Sequence, residues 1–432
     1  MEKKNFLFVS LNSALIRDIA WNVFKEGNEV RYFIGCESDK EVADGFVPKT
    51  TDWKKDLDWA DMVIFDDSIG SGEDIVETKK RGIPIIGGTP YTDKLEENRS
   101  FGQEELKKAG VPILPHKYFF DFDEAISYVR ENPNEYVIKP SGDAQNIKRL
   151  LFVGMEKDGS DVIRVLEAYK KVWSHAIKEF QIQRKVNGVE IAVGAFFNGK
   201  KFIYPININF EHKKLFPGNI GPSTGEMGTT MFWSGPNKLF NETLKKMEKK
   251  LAAEKFIGYI DLNCIVNGKG IYPLEFTPRF GYPIITMQKD SIAMPFGEFL
   301  YDLARGKNFS FKTKKGFHIG VRILLPPYPY GEKSIFDYYS KGATVVFKKK
   351  DHLDGVHIED VKNVRGEWVL AGTSGLALVV TGSGISMKQA QQQVYNRIEN
   401  ILIPNMFYRK DIGDRWYEDS DKLHSWGYLR ES

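Results

Sequence analysis

Four long segments in the middle of the chain alternate apolar and polar residues, and this pattern restricts the fold more than any other feature of the sequence. The segments are Glu190–Phe197, Lys201–Phe210, Tyr259–Val266 and Ile271–Phe276. Period-two alternation is typical of half-buried strands, and short turns containing Asn-Gly join antiparallel strands into hairpins. Such turns stand at Asn198-Gly199 and at residues 267–270. The block is therefore predicted to be α+β and mostly antiparallel.

The segments on either side of this block predict further units. Over residues 1–90, short apolar strands alternate with helices, which is typical of a doubly wound parallel sheet. Helices are predicted over 96–109 and 290–305, and strands resume after a basic linker at 312–315. The expected units are an N-terminal α/β domain (1–94), a central domain (95–312) with a flap subdomain (about 112–182), a C-terminal α+β domain (313–415) and a docked tail (416–432).

Composition excludes several classes of protein. Apolar residues make up 42% of the 432 residues, which is too many for a disordered chain. The net charge of only +3 favours neither a nucleic-acid nor a membrane partner. No apolar stretch reaches the length of about 18 residues that a membrane-spanning helix needs. Two distant cysteines, Cys36 and Cys264, exclude a disulfide framework, and Arg17 follows the first apolar run too soon for a signal peptide. We therefore expect a cytoplasmic protein.

The segment Tyr259–Gly281 carries the strongest chemical signal. Alternation places Asp261 and Asn263 on one face of the first strand, and Glu275, Thr277 and Arg279 on one face of the second. Carboxylates beside other oxygen side chains suit Mg²⁺ when phosphates complete its shell, and an arginine there could stabilise a transferring phosphoryl group. A hairpin with a solvated charged face is the alternative interpretation.

Two weaker patterns suggest a nucleotide site. The backbone of the segment Phe180–Val186 could hydrogen-bond the edge of an adenine, and Glu190 could then accept hydrogen bonds from ribose hydroxyls. An ordinary strand has the same pattern and is the alternative. Lys139 ends an apolar strand, and Lys148 follows a polar loop. Lysines that face a cleft bind phosphate as point charges. The alternative is that both residues are ordinary surface lysines in contact with solvent. The loop at 141–143 has one glycine and is not a Walker loop.

The segment Glu211–Gly228 contains His212 and a glycine-rich stretch. Four glycines fall within residues 218–228, which predicts a long loop whose backbone can approach a ligand closely. His212 is either a functional residue of that loop or a bystander.

Taken in order, these segments resemble the ATP-grasp fold and, within it, the phosphoribosylamine–glycine ligase family of purine synthesis. Leu95–Phe101 is similar to the family's Leu-Glu-Gly-Ser-Lys-x-Phe, and Leu274–Gly281 to its Leu-Glu-Phe-Asn-x-Arg-Phe-Gly. Glu211–Gly228 resembles its Asp-His-Lys-Arg…Thr-Gly-Pro-Asn-Thr-Gly-Gly-Met-Gly. Tyr408–Gly413 matches its Tyr-Arg-x-Asp-Ile-Gly, and the resemblance spans nearly the whole chain.

The resemblance implies a reaction and a role for each matching residue. A carboxylate is activated by ATP as an acyl phosphate, and an amine then attacks it; the cofactors are ATP and Mg²⁺, with Mn²⁺ as the alternative ion. ATP would contact Arg99, Lys139, Lys148, Gln183, Lys185, Val186 and Glu190. The metal would contact Asp261, Glu275 and Thr277. The catalytic residues would be Arg279, Lys213 and His212. The acceptor substrate would contact Glu211, Gly221, Pro222, Ser223, Thr224 and Gly225.

The sequence departs from the family mainly on the amine side. Asn12-Ser13 replace a Gly-Gly pair, Tyr282 follows the Arg-Phe-Gly motif, Glu226 replaces a glycine and Thr277 an asparagine. The substrates, an amino acid and an amine, are therefore either the family's glycine and phosphoribosylamine or another pair. A nucleotide-binding relative without turnover, and a carboxylase or kinase on the same fold, are the remaining hypotheses. The protein is expected to be a monomer or a homodimer.

Overall fold

The first part of the chain forms a small parallel sheet with helices, as its strand–helix alternation predicted. The computed structural model describes residues 3–65, 72–142, 144, 147 and 150–429. The elements of this part are β1 (Asn5–Ser10), α1 (Arg17–Lys25), β2 (Glu29–Ile34), β3 (Met62–Phe65), α2 (Gly72–Lys80) and β4 (Ile85–Ile86). The order across the sheet is β2-β1-β3-β4, and each pair is parallel.

Two helices then lead into a second small sheet, the flap. The helices are α3 (Pro90–Glu97) and α4 (Arg99–Lys108). The flap contains β5 (His116–Phe119), α5 (Phe122–Glu131), β6 (Tyr136–Pro140), β7 (Phe152–Val153), α6 (Ser160–Val172) and β8 (Phe180–Arg184). Its strands lie in the order β5-β8-β6-β7. The single helix predicted over 96–109 was wrong, because Asn98 ends α3 and its side chain accepts a hydrogen bond from Phe101 N to cap α4.

A large antiparallel sheet forms the centre of the molecule, as the alternating segments predicted. Its first strands are β9 (Val189–Asn198), β10 (Phe202–Phe216), β11 (Ile220–Ser234), β12 (Ile257–Asn267) and β13 (Gly270–Thr277). The helices of this region are α7 (Lys238–Glu242), α8 (Glu248–Ala253), α9 (Ile284–Ser291) and α10 (Phe296–Ala304). α10 confirms a helix within the segment expected over 290–305, but the predicted start was wrong, because α9 ends at Ser291 and Pro295, which lacks a backbone donor, precedes α10.

The C-terminal part continues the same sheet. Its elements are β14 (Phe317–Leu324), α11 (Lys333–Tyr339), β15 (Thr344–Phe347), β16 (Val356–Ile358), β17 (Val361–Val364), β18 (Glu367–Leu370), β19 (Leu376–Gly384), α12 (Met387–Ile398), β20 (Ile401–Leu402) and α13 (Trp416–Ser425). The central sheet has the order β13-β12-β9-β10-β11-β14-β19-β16. Its hydrogen bonds therefore cross the domain boundary predicted near 313, and the domain limits stay predictions.

The glycine-rich segment is not a loop. Residues 211–228 belong to the long hairpin of β10 and β11, whose register pairs His212 with Gly228 and Lys214 with Ser223. Two of its four glycines, Gly218 and Gly221, have a positive φ, as does Asn219 between them, and these three residues lie at the turn. The prediction of a long loop was wrong because the other two glycines, Gly225 and Gly228, belong to the extended backbone of β11.

The final helix packs on the central sheet. The Trp416 ring of α13 meets the rings of Phe210, Phe232 and Phe317 at centroid distances of 5.7, 5.6 and 4.8 Å. These three rings come from β10, β11 and β14, so the helix covers one face of three adjacent strands. Among the described residues, no helix is long and apolar enough to span a membrane.

Candidate active site

Oxygen-bearing side chains meet on the β12–β13 hairpin at one edge of the central sheet. The register places Asp261 opposite Thr277, and Asn263 opposite Glu275. Directly opposed residues on antiparallel strands have their side chains on one face of the sheet. The hairpin therefore brings together the three predicted metal ligands, with Asn263 as a fourth oxygen donor.

Lys213 lies at the centre of a cluster of carboxylates from three strands. Its Nζ is 3.0 Å from Glu211 Oε2, 3.3 Å from Glu190 Oε1 and 3.4 Å from Glu275 Oε1. Burial alone would lower the pKa of Lys213, but the three carboxylates outweigh it and raise the pKa well above its usual value. Lys213, expected to be catalytic, thus contacts residues expected at the metal, the ribose and the acceptor substrate.

His212 does not share this site. Neighbouring residues of a strand point to opposite faces, so His212 lies across the sheet from Glu211 and Lys213. Its side chain is buried, and burial together with the charges of Arg415 and Arg409 lowers the pKa of His212 to about 3. The ring is therefore neutral at physiological pH, and its expected role beside Lys213 is not supported by this placement.

Asp261 is a buried carboxylate with one oxygen unsatisfied. Asp261 Oδ2 accepts hydrogen bonds of 2.8 Å from Asn209 Nδ2 and from the Tyr259 hydroxyl. Its Oδ1 is buried without a hydrogen-bond partner among the described residues. Burial and the charge of Glu211 raise the pKa of Asp261 to about 7. A buried acceptor of this kind is costly unless a cation or a donor approaches it.

The donor set fits Mg²⁺ only if phosphate oxygens complete the shell. The Glu275 side chain is 43% exposed, and Asp261 Oδ1 has no partner among the described residues, so both offer hard oxygen ligands. Within the described residues, no group of three or more histidine, cysteine or acidic side chains could hold a metal ion alone. Magnesium commonly binds through one or two carboxylates together with substrate phosphates, and Asp261 with Glu275 provides two such carboxylates.

Two cations from the flap side face the carboxylates. Lys139 on β6 is buried, and burial followed by the charge of Arg99 lowers the pKa of Lys139 to about 7, against the opposing charges of Glu275 and Glu190. The Arg99 guanidinium at the start of α4 donates to Pro140 O at 2.9 Å and so joins that helix to the flap strand. Lys148, also expected to contact ATP, lies outside the described residues.

The expected adenine-binding residues lie on β8, an inner strand of the flap, and just after its end. Gln183 is buried on β8 opposite Val137 of β6. Lys185 Nζ donates to Gly154 O at 2.9 Å and lies 3.4 Å from Glu135 Oε1. Its charge is therefore paired with a carboxylate within the flap. Val186 follows the strand end and is partly exposed. The roles of these residues stay predictions.

Arg279 lies beyond the end of β13. The strand stops at Thr277, so the alternation used to place Arg279 does not extend to it. Its guanidinium donates to Glu96 Oε1 at 3.2 and 2.8 Å, which ties it to the end of α3. Contact of Arg279 with reacting phosphates stays a prediction.

The expected acceptor residues lie at and near the turn of the β10–β11 hairpin. Thr224 Oγ1 donates to Lys213 O at 2.8 Å. The Tyr408–Gly413 motif packs against this end, because Asp411 Oδ2 accepts from Gly218 N at 2.9 Å and Arg409 donates to Lys214 O at 2.9 Å. The two most specific sequence motifs therefore form one structural unit, although Gly221, Pro222, Ser223 and Gly225 stay predicted contacts.

Several charged residues near the site were not found from the sequence. In the sequence, Glu226 differs from the family's glycine, and no motif connects it with Arg322, Arg17 or Glu359. Arg322 contacts Glu359 at 3.6 Å, and Arg17 contacts Glu359 at 3.2 Å. No local spacing signals this group, because its members come from α1, β11, β14 and the turn after β16.

Known proteins resemble the chain in sequence and in fold. Residues 97–284 match the family model for the phosphoribosylglycinamide synthetase ATP-grasp (A) domain. Phosphoribosylamine–glycine ligase from Lactococcus lactis is 26% identical over 346 residues, which cover 78% of this chain and 79% of that protein. The enzyme of the same name from Clostridium acetobutylicum is 27% identical over 351 residues, which cover 78% of this chain and 80% of that protein.

Solved structures extend the similarity to the whole fold. Phosphoribosylamine–glycine ligase from Thermotoga maritima superposes with a TM-score of 0.70 at 22% identity and covers 94% of this chain and 100% of its own. Biotin carboxylase from Campylobacter jejuni has a TM-score of 0.63 at 14% identity and covers 98% of this chain and 97% of its own. The resemblance inferred from the motifs is confirmed: residues 97–284 match the ATP-grasp (A) domain model of phosphoribosylglycinamide synthetase, and most of the chain is similar in sequence and fold to phosphoribosylamine–glycine ligases.

Proposed function

We propose that this protein is an ATP-dependent ligase that joins a carboxylate to an amine through an acyl phosphate. The observation that carries the proposal is the cluster of Glu190, Glu211 and Glu275 around Lys213 on the central sheet. The charge of Glu275 also acts on the two flap-side cations, Arg99 and Lys139. Cations facing carboxylates across a cleft suit the phosphates of a nucleotide and the metal ion that accompanies them.

The chain's own residues would bind and orient the reactants. Arg99 and Lys139 would hold phosphate oxygens, and Lys139 would gain its full charge when they approach. Glu275 and Asp261, with Thr277 and Asn263 beside them, would hold Mg²⁺, which supplies charge neutralisation for phosphoryl transfer when bound with ATP. Gln183, Lys185 and Val186 would contact the adenine and Glu190 the ribose, with Lys148 as a further phosphate contact.

The chemistry has two balanced steps. A carboxylate oxygen attacks the terminal phosphorus of ATP, the bond to ADP breaks, and an acyl phosphate forms. The amine nitrogen then attacks the acyl carbon, a C–N bond forms, and phosphate leaves with the C–O bond pair. Lys213, held by Glu190, Glu211 and Glu275, would orient the carboxylate, and Arg279 would stabilise the transferring phosphoryl group.

The relatives named above are ligases of glycine and phosphoribosylamine, and we propose that pair as the first to test. The altered acceptor side also fits another amino acid or another amine. The substrates would be small molecules used in the cytoplasm, by a monomer or a homodimer, with Mn²⁺ able to replace Mg²⁺.

Release of ADP from purified protein tests this function. The assay contains ATP, Mg²⁺, glycine and freshly made phosphoribosylamine, with a panel of other amino acids and amines in parallel. We expect ADP only when both a carboxylate and an amine are present. Measurable ATP binding without ADP from any pair would instead identify a nucleotide-binding relative that has lost turnover.

A variant of Glu275 connects that activity to the site. Glu275→Ala should reduce turnover by at least about 10²-fold, because it removes a group that would stabilise the transition-state charge through the metal. The melting temperature should change little, since the side chain is 43% exposed. Glu399→Ala, at an exposed position beyond α12, is the matched control. Full activity in Glu275→Ala would contradict the metal assignment.

A further inference from the structure

Glu226 is a buried carboxylate within an irregularity of β11. The hairpin pairs His212 with Gly228 and Lys214 with Ser223, so one residue between the pairs on β10 faces four residues on β11. Within this bulge the strict alternation no longer holds, and Glu226 lies where the charges of Glu211, Lys213 and Asp261 act on it. Glu226 is only 7% exposed, and its Oε1 is buried without a hydrogen-bond partner among the described residues.

The neighbours of Glu226 make this carboxylate expensive to bury as an ion. Burial and the charges of Glu211 and Asp261 raise the pKa of Glu226 well above its usual value, although Arg322 and Lys213 act in the opposite direction. Asp261 Oδ1 is a second buried acceptor without a hydrogen-bond partner among the described residues. Since Asp261 Oδ1 is assigned to the metal above, Glu226 Oε1 needs a donor of its own.

The described cations around Glu226 already have carboxylate partners. Lys213 lies within 3.0–3.4 Å of three other carboxylates. Arg322 pairs with Glu359 at 3.6 Å and donates to the carbonyl oxygens of Glu226 and Tyr282 at 3.3 and 3.1 Å, rather than to the Glu226 carboxylate. Arg17, the next cation, pairs with Glu359 and Asp360 at 3.2 and 3.4 Å.

We propose that Glu226 binds the ammonium group of an amino-acid substrate, the one whose carboxylate is activated. The inference rests on the proposed ligase function and adds the residue that distinguishes an amino acid from other carboxylates. An amino acid lying between Lys213 and Glu226 places its carboxylate against the lysine and its ammonium against the buried acid. An ammonium group donates up to three hydrogen bonds, so Glu211 can accept a second one while Asp261 Oδ1 stays available to the metal. Pairing of this kind offsets the cost of burying the Glu226 charge.

Binding of matched ligand pairs tests the inference without requiring turnover. Glycine and glycolate differ only in an ammonium and a hydroxyl group, as do alanine and lactate. Each is titrated calorimetrically into protein saturated with a non-hydrolysable ATP analogue and Mg²⁺. The wild type should prefer an amino acid over its hydroxy-acid partner by at least about tenfold, as expected for a charge-assisted hydrogen bond.

The isosteric variant Glu226→Gln should reduce that preference to less than about threefold while leaving the affinity for the ATP analogue unchanged. Glu226→Ala, which leaves space, serves as the second variant if the amide rearranges, and melting curves report whether each is folded. Glu359→Gln is the matched control. Glu359 is also a buried carboxylate close to Arg322, but it already has two arginine partners, Arg17 and Arg322.

Three results would overturn the inference. They are equal binding of amino and hydroxy acids by the wild type, an unchanged preference in folded Glu226→Gln and Glu226→Ala, and the same loss of preference in Glu359→Gln. Absence of ADP release with every substrate pair, despite preferential amino-acid binding that depends on Glu226, would reject the ligase function and leave the ammonium site supported.

Discussion

Lys139 shows how the charge state of one side chain depends on the partner it faces. Burial and the nearby guanidinium of Arg99 lower the pKa of Lys139 to about 7, far below the usual lysine value of about 10.4. Above a pH of about 7 the amine of the ligand-free protein is therefore mostly neutral. Phosphate oxygens favour the charged form, so a bound nucleotide raises that pKa again.

Proton uptake on nucleotide binding follows from this shift. At a pH of about 8 to 9, between the two pKa values, ATP binding should take up close to one proton, and the affinity for ATP should fall as the pH rises. Calorimetry in two buffers of different ionisation enthalpy measures the uptake. Lys139→Met should abolish it, whereas Lys171→Met, at an exposed position, should leave it unchanged. Equal uptake by wild type and Lys139→Met would refute the assignment.

Single residues were predicted best where local spacing carries the information. Alternation along two strands was enough to place Asp261 near Thr277 and Glu275, because strand geometry has a fixed period of two. Alternation could not show that the charge of Asp261 acts on Glu226, since the bulge that contains Glu226 depends on pairing with β10. It also failed for Arg279, which lies after the strand has ended.

The β10–β11 hairpin shows why composition misled the prediction at the scale of an element. Glycine-rich sequence usually indicates a turn, but Gly228 lies in an extended strand between close neighbours. A Cβ at Gly228 would lie 2.6 Å from Gly320 O and 3.0 Å from Ile412 Cδ1. The glycine is required for the close approach of β11 to β14 and to the C-terminal motif, and such long-range contacts leave no trace in local composition.

A pair of glycine variants tests that reading of the hairpin. Gly228→Ala should lower the free energy of unfolding by about 1–3 kcal/mol, because the added methyl meets backbone that cannot move easily. Gly225→Ala, where a Cβ meets nothing within 4 Å, is the control and should change stability little. Chemical denaturation measures both. Equal stability of the two variants would show that the strands can separate without cost.

At the scale of the whole molecule, a buried charge network joins the N-terminal and C-terminal parts of the chain. His357 Nε2 lies 2.8 Å from Asp290 Oδ2, and its Nδ1 lies 3.2 Å from Asp18 Oδ2. Lys289 Nζ lies 3.4 Å from the same Asp18 oxygen. The sequence predicted the separate parallel and antiparallel sheets correctly, but a contact between residues some 340 positions apart has no local signal.

This network should make stability depend on pH. Burial lowers the pKa of His357, but the charges of Asp290 and Asp18 outweigh it, despite Lys289, and the pKa lies above its usual value. When folding raises the pKa of a histidine, that residue stabilises the folded protein. The stabilisation is complete below the unfolded-state pKa of about 6.5 and is lost as the pH rises through the pKa of the folded state.

Replacement of His357 checks the sign of that dependence. His357→Gln should melt at a lower temperature than the wild type at a pH of about 6. The difference between the two melting temperatures should be smaller at a pH of about 9. Melting curves across that range provide the measurement, with His352→Gln, at an exposed position, as the control. A gap that stayed constant or widened with pH would rule out a charged His357 in the folded protein.

The central claim, that a carboxylate is activated as an acyl phosphate, is tested most directly by following one oxygen atom. The amino acid that supports ADP release is labelled with ¹⁸O in its carboxylate and allowed to react to completion with ATP and the amine. Mass spectrometry of the released phosphate should show one ¹⁸O atom per molecule, since the carboxylate oxygen leaves with phosphorus. Phosphate without the label, formed alongside ADP, would contradict the acyl-phosphate route.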